Sequence, residues 1–399
     1  MTDTSDVDWL ASTVDVEEAV SLTAHLVAHP SYSGDESAVQ RAIAGWFTSH
    51  DIPVEIQPVD GDRANVLARV DRGPGPTLLL TGHADTVPAV EGWSSDPWTA
   101  RREGDRLYGL GACDMKAGLA AAMLATRDLA RRSDWRGTVL FASVVDEEAY
   151  SLGARALVAA GLRADACVVT ESAWRPCLGA VGKVLVRVDV EGKAVHASWP
   201  DDGVNAAVEA ARFVAGLDAL PVGRHPRMVA SRCVLSVRAG EDRYAMTVPE
   251  HARVVVSRMI VPGETGEGIV TELRSHADAL RSPAHFSFTL DPPYYPPWET
   301  SPDHPFVTEF ARAYRAETGD APTWAYTGFG DANLFAGELN IPTVHFGPHG
   351  ANFHRPDEWV DIPTIGATVR VLLRLARELL APVPGSGWAR HPENTIVSG

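Results

Sequence analysis

Residues 77–85 read TLLLTGHAD: an apolar run that breaks at Gly82 and delivers His83 and Asp85. Three further stretches share this form. TVLFASVVDEE (138–148) runs from apolar residues into Asp146, Glu147 and Glu148; ACVVTE (166–171) ends in Glu171; and IPTVHFGPHG (341–350) leads to His354. Short, almost uninterrupted apolar runs predict strands buried on both faces. Segments with helical spacing lie between and around them, at 16–27, 37–47, 117–130, 152–160, 306–317 and 365–380. Asp35 is a candidate cap for the second of these, because a short acidic side chain can accept the unpaired N–H groups of a helix start. Strands alternating with helices predict an α/β fold, with a mixed, mostly parallel sheet flanked by helices. Functional groups in such sheets gather at the carboxyl ends of strands, where His83, Asp85, Glu147, Glu148 and Glu171 all fall. Asp114, in GACDMK (111–116), stands at the mouth of the small-residue helix 117–130.

The texture changes near residue 182. Residues 183–191 alternate apolar and polar, as a strand with one wet face does. A helix at 206–217, strands at 229–237 and 252–260, a helix at 269–280 and a strand at 286–290 follow, which is the β-α-β-β-α-β order of a ferredoxin-like unit. DPPYYPPWETSP (291–302) reads as a stiff proline-rich linker, after which the first pattern resumes. The expected organisation is one α/β domain, 1–180 and 294–399, interrupted by an inserted α+β domain, 181–293. The tail after Pro382 is expected to be poorly ordered.

Composition sets limits. The chain has 399 residues, a formal net charge of -17 and 45% hydrophobic residues, so it has material for a core and is not disordered throughout. The acidic surplus argues against nucleic-acid and membrane partners. The N-terminus MTDTSDVDWL lacks the basic and apolar regions of a signal peptide, and no run reaches the length of a membrane span. Cys113, Cys167, Cys177 and Cys233 form no CxxC pair, as expected of free thiols in a cytoplasmic protein.

The acids raise a chemical question. Asp146, Glu147 and Glu148 repel one another, and no Lys or Arg lies in their segment to neutralise them. Either they are solvated in a loop, or a cation sits among them. His83 and Asp85 are two apart, so in extended chain they point to one side, as suits a metal-ligating histidine oriented by a carboxylate. Asp114 by itself could be only a helix cap. Imidazole and carboxylate donors without cysteine suit Zn²⁺, with Co²⁺ and Mn²⁺ also compatible. Five candidate ligands exceed one tetrahedral site and fit a pair of metals about 3.5–4 Å apart.

Taken together, TGHADTVPAVEGWSSDPW, RLYGLGACDMKAGLAA, VVDEEAYSLGA, VEGKAVHASWPDDGVNAA, GFGDANLF and FGPHGANFHRPDEWV resemble the dinuclear zinc metallopeptidase family of acetylornithine deacetylase, succinyl-diaminopimelate desuccinylase, carboxypeptidase G and aminoacylase. The resemblance runs from 82 to 360, in the family's order and spacing. It implies a zinc-peptidase-type catalytic domain with an inserted lid and dimerisation domain. It also implies ligand roles for His83, Asp114 (bridging), Glu148, Glu171 and His354, with Asp85 orienting His83. Glu147 is implied to be the general base. His196 is implied to stabilise the oxyanion, in cis or from a partner subunit, and Asn205 and Arg258 to hold a substrate carboxylate. The implied substrate is an N-acyl amino acid or short peptide, hydrolysed at an amide bond by a homodimeric enzyme. Three departures from the family pattern, Leu110, Thr170-Glu171-Ser172 and Val256-Ser257-Arg258, bear on substrate specificity rather than on metal binding. The family's cis peptide after the bridging Asp is expected at Asp114–Met115. A catalytically silent relative that only binds a metal or ligand is the alternative, against which the retained Glu147 and His196 count.

Overall fold

The computed structural model describes residues 14–240 and 245–381. The expectation for the tail after Pro382 therefore lies outside the described residues. The chain divides into two compact units. The first comprises 14–178, Thr300–Ala325 and 330–381 of the described residues; the second comprises Gly179–Glu299 and Tyr326–Phe329.

The first unit is built on a mixed sheet. Its strand order is Val54–Asp60, Arg63–Asp71, Thr138–Val144, Thr77–His83, Ala166–Val169, Thr343–His345, Cys177–Ala180. The four central strands, from Thr138–Val144 to Thr343–His345, run parallel, and antiparallel pairs flank them. Every residue of Thr138–Val144 and of Ala166–Val169 is buried, which is why these strands read as unbroken apolar runs. The main core joins Leu78, Leu80, Phe141, Val168 and Val344 to the helices Val16–Val27, Ser37–Ser49, Ala117–Ala130, Pro305–Thr318 and Ile362–Leu379. Residues Ala117–Leu129 of the third helix are all buried. Its small residues let it approach the sheet closely: a Cβ on Gly118 would lie 1.7 Å from the Thr170 carbonyl oxygen, so this position excludes any side chain. The helix start is thereby pressed against the strand end that carries Glu171.

A smaller antiparallel sheet, in the order Gly350–Ala351, Trp359–Asp361, Arg106–Tyr108, Arg101–Glu103, has no signal in the apolar pattern because its strands span only two or three residues. It holds the two ends of the loop that carries His354.

The second unit is an antiparallel sheet, Ser231–Ala239, His251–Ile260, Gly182–Glu191, His285–Tyr295, with the helices Ala206–Gly216 and Gly266–Ala279. Val184, Val186, Val188 and Val190 face its core, and the residues between them are partly exposed. The order and the alternating burial are those of a ferredoxin-like unit. The expected insertion at 181–293 lies inside this unit.

One expectation is corrected. Residues 291–302 are not a free linker. The strand continues to Tyr295 through a register shift between Asp291 and Tyr295, and Trp298–Glu299 pairs with Gly179 and Ala180. Proline is tolerated here because His285–Tyr295 is an edge strand and the bulge removes the need for every N–H. The Pro292–Pro293 peptide is cis. All four cysteines are free; Cys233 is exposed and the other three are buried.

Candidate metal centre

His83 ends the Thr77–His83 strand and is 1% exposed. Its Nδ1 lies 3.0 Å from the Asp85 carbonyl oxygen and 3.4 Å from Asp85 Oδ1. A proton on Nδ1 satisfies both acceptors, which turns Nε2 forward. That atom meets Asp114 Oδ1 at 3.3 Å and Glu171 Oε1 at 3.0 Å. Asp85, fully buried, is occupied otherwise: its carboxylate accepts the N–H groups of Glu147 and Glu148, both at 3.1 Å, and the Ser33 hydroxyl at 2.7 Å. It orients its neighbours and has no oxygen to spare for an ion.

Asp114 is not a helix cap. It lies in a wide turn, Ala112–Lys116, with non-helical backbone angles, and the Asp114–Met115 peptide is cis as the family pattern implied. Buried Glu358 shapes this turn by accepting the N–H groups of Gly111, Cys113 and Asp114 at 2.9, 2.8 and 2.9 Å. The Asp114 carboxylate then spans two imidazoles: Oδ1 faces His83 Nε2, and Oδ2 faces His354 Nε2 at 3.3 Å. His354, at φ 56, also meets Glu148 Oε1 at 3.1 Å. The structure thus brings His83, Asp85, Asp114, Glu147, Glu148, Glu171 and His354 into one site.

Two overlapping donor groups result, His83–Glu147–Glu171 and His83–Asp114–Glu148, the atoms of each lying within 4.8 Å of one another. Glu147 is confined by Gly330, where a Cβ would fall 2.4 Å from Glu147 Oε1. The charges are unbalanced. His83 and His354 are the ion-pair partners of Asp114, Glu148 and Glu171. Burial and the adjacent acids push the Glu148 carboxyl up to about 7 and raise Glu171, and burial above all pushes Glu147 well above the carboxylate range. The Asp114 hydrogen bond, with Glu148 nearby, lifts His354 to about 9. For His83, burial works against the charge, but the Glu171, Asp114 and Asp85 carboxylates outweigh it and raise the ring well above its ordinary value. Crowded carboxylates set against forward-facing imidazole nitrogens are a donor set that divalent cations would neutralise, so the residues fit a metal pair.

Asp146 is the exception among the three consecutive acids. It is neutralised by Arg63, 83 residues away in sequence. Glu358 was likewise present in the motif around His354 without a role, because its partners are 244 to 247 residues distant.

His196, Asn205 and Arg258 belong to the second unit. His196 is exposed, and its Nδ1 accepts the Ser198 N–H at 3.1 Å. Asn205 caps the Ala206–Gly216 helix, its Oδ1 accepting from Ala207 and Val208. Arg258 is fully buried, with Nη2 donating to Glu264 at 3.0 Å, while Nε and Nη1 have no partner among the described residues.

Fold and site together define a metal-dependent amide hydrolase. The chain belongs to Peptidase family M20/M25/M40, whose model matches residues 79–378. It is 28% identical over 390 residues to a succinyl-diaminopimelate desuccinylase of Methylobacterium radiotolerans, covering 93% of this chain and 98% of that one. Over 199 residues, 47% of this chain and 51% of the relative, it is 35% identical to an acetylornithine deacetylase of Edwardsiella ictaluri. The fold matches that of the YXEP protein of Bacillus subtilis, a dinuclear metal-binding peptidase of the same family. The TM-score is 0.72 at 20% identity, with 92% of this chain and 99% of that one covered. Among the described residues no helix is long and apolar enough to cross a membrane.

Proposed function

We propose that this enzyme hydrolyses an amide bond next to a free carboxylate in an N-acyl amino acid or short peptide, with two Zn²⁺ ions and Glu147 as general base. The observation that carries the reading is the Asp114 carboxylate, whose two oxygens face two separate imidazoles. One ion would be held by His83, Asp114 and Glu171, the other by His354, Asp114 and Glu148. Nitrogen and oxygen donors suit zinc, with cobalt and manganese as substitutes. Bound divalent metal lowers the pKa of water and polarises the scissile carbonyl.

The chain's own groups do the rest. Asp85 fixes the amides of Glu147 and Glu148 and the tautomer of His83. Glu147 takes a proton from the attacking water and returns it to the leaving amine. His196, in cis or from a partner subunit, stabilises the oxyanion. Asn205 offers its amide nitrogen to the substrate carboxylate. Arg258 joins it with its Nε and Nη1 donors, which have no partner among the described residues. Leu235 and Val237, 57% and 49% exposed on the edge strand of that unit, support a homodimer formed there. The free cysteines support a cytoplasmic enzyme.

The test is release of free amine from a panel that varies the acyl and amino-acid halves separately. Activity should vanish with a chelator and return with Zn²⁺, Co²⁺ or Mn²⁺. A metal-loaded chain that cleaves no member of the panel would be a silent relative instead.

A further inference from the structure

We propose that Arg63 is a positioning residue for Glu147, acting through a buried ion triad with Glu36 and Asp146. The inference rests on Glu147 being the general base.

Arg63 lies on the Arg63–Asp71 strand, next to the strand that delivers the catalytic acids. Its guanidinium grips Glu36 with two bonds, Nε to Oε2 at 2.8 Å and Nη2 to Oε1 at 2.7 Å. The same Nη2 reaches Asp146 Oδ1 at 2.5 Å. Glu36, Arg63 and Asp146 are 0%, 8% and 4% exposed. Glu36, not Asp35, occupies the cap position of the Ser37–Ser49 helix, yet it makes no side-chain cap bond, because its carboxylate is turned toward Arg63 and the Gly34 N–H. The local rule for a helix start is set aside to complete the triad.

Asp146 immediately precedes Glu147 and sits at φ 72, a left-handed conformation that a residue with a Cβ rarely adopts. Such a conformation persists only where the surroundings over-determine it. Here they do: Arg63 and the Tyr150 N–H hold the two carboxylate oxygens, and the Asp146 carbonyl accepts from Tyr150 and Ser151. On the other side, Asp85 holds the amides of Glu147 and Glu148. Glu147 is therefore bracketed by Arg63 through Asp146 behind and by Asp85 ahead. The loop that carries Ser33, Gly34 and Glu36 feeds both brackets. A lysine could not replace Arg63, because one ammonium lacks the planar fork that meets two carboxylates at once.

The experiment is a double-mutant cycle in the metal-loaded full chain, with Arg63→Met and Glu147→Gln alone and combined, reading kcat, KM and bound metal. Arg63→Met should lower kcat about 100-fold, the size of a displacement of about 1 Å, with KM changed less than about threefold. In the Glu147→Gln background it should cost less than about twofold, because the group it positions is gone. Arg63→Lys should fail to restore the rate, and Asp146→Asn, which keeps the shape of the triad without its charge, should lower kcat about tenfold. These two milder variants decide the matter if Arg63→Met does not fold. An unchanged kcat in the variants, or the same loss with and without Glu147, would overturn the proposal. Full turnover in Glu147→Gln alone would instead overturn the assignment of the base.

Discussion

Glu148 and His354, 206 residues apart in sequence, meet at 3.1 Å. One lies four residues beyond a fully buried strand that ends at Val144, and the other stands on a loop anchored by a sheet of two- and three-residue strands. Truncating either to Ala should remove one of two bound ions and lower metal affinity about 10–100-fold or more. Metal content by elemental analysis and titration calorimetry checks this; two tightly held ions in both variants would refute the ligand assignment.

Glu147→Gln keeps the shape of the side chain and removes the base. Turnover should fall by about 10²–10⁴-fold while metal content stays at the wild-type level. Near-wild-type kcat would show that another group takes the proton.

Glu358 tests the support of Asp114. Its two oxygens accept three backbone N–H groups, and Glu358→Gln leaves only one acceptor oxygen for them. Metal affinity should drop about 10-fold, with secondary structure unchanged by circular dichroism. Unaltered affinity would mean the turn holds its form without this carboxylate.

Gly118→Ala should destabilise the first unit by about 1–3 kcal/mol, since the added methyl meets backbone rather than a side chain that can move. Urea unfolding measures it. The same variant should weaken metal binding, because Thr170, the group displaced, precedes Glu171.

His345 gives a pH dependence. Burial holds its ring down to about 4, and among the described residues both ring nitrogens lack hydrogen-bond partners. The unfolded chain takes up this proton as pH falls through about 6.5, while the folded chain refuses it until about pH 4. The contribution is therefore complete above pH 6.5 and is lost as pH falls toward 4, by up to about 3 kcal/mol. His345→Leu should be near-neutral or stabilising at pH 7. It should gain on wild type by up to about 3 kcal/mol as pH is lowered to 4. Urea midpoints at both pH values decide it; parallel pH curves for the two proteins would refute it.

Much of the site was legible because its donors close apolar runs. His83, Glu148 and Glu171 follow strands whose burial on both faces leaves an unmistakable pattern, and the first polar residues beyond them fall at one edge of the sheet. Arg63, Glu36 and Glu358 carried no such mark. An arginine on a partly exposed strand and an acid before a helix have ordinary local explanations, and their partners lie 27 to 247 residues away. Residues 291–302 misled for a related reason: the prolines state local stiffness, but whether they end a strand depends on which neighbour needs their N–H groups.

The sequence by itself determined the layered α/β architecture, the ferredoxin-like insertion and the acids and histidine that follow the buried strands, because periodicity and strand ends are properties of short segments. Only the tertiary structure decided how those donors are held. Asp114 faces two histidines in a turn that Glu358 shapes, and Glu147 stands between the Asp146 carboxylate held by Arg63 and the Asp85 carboxylate that accepts its own N–H. Those are long-range hydrogen bonds made in burial, where each charged group requires a partner, and the identity of that partner is settled by packing rather than by spacing along the chain.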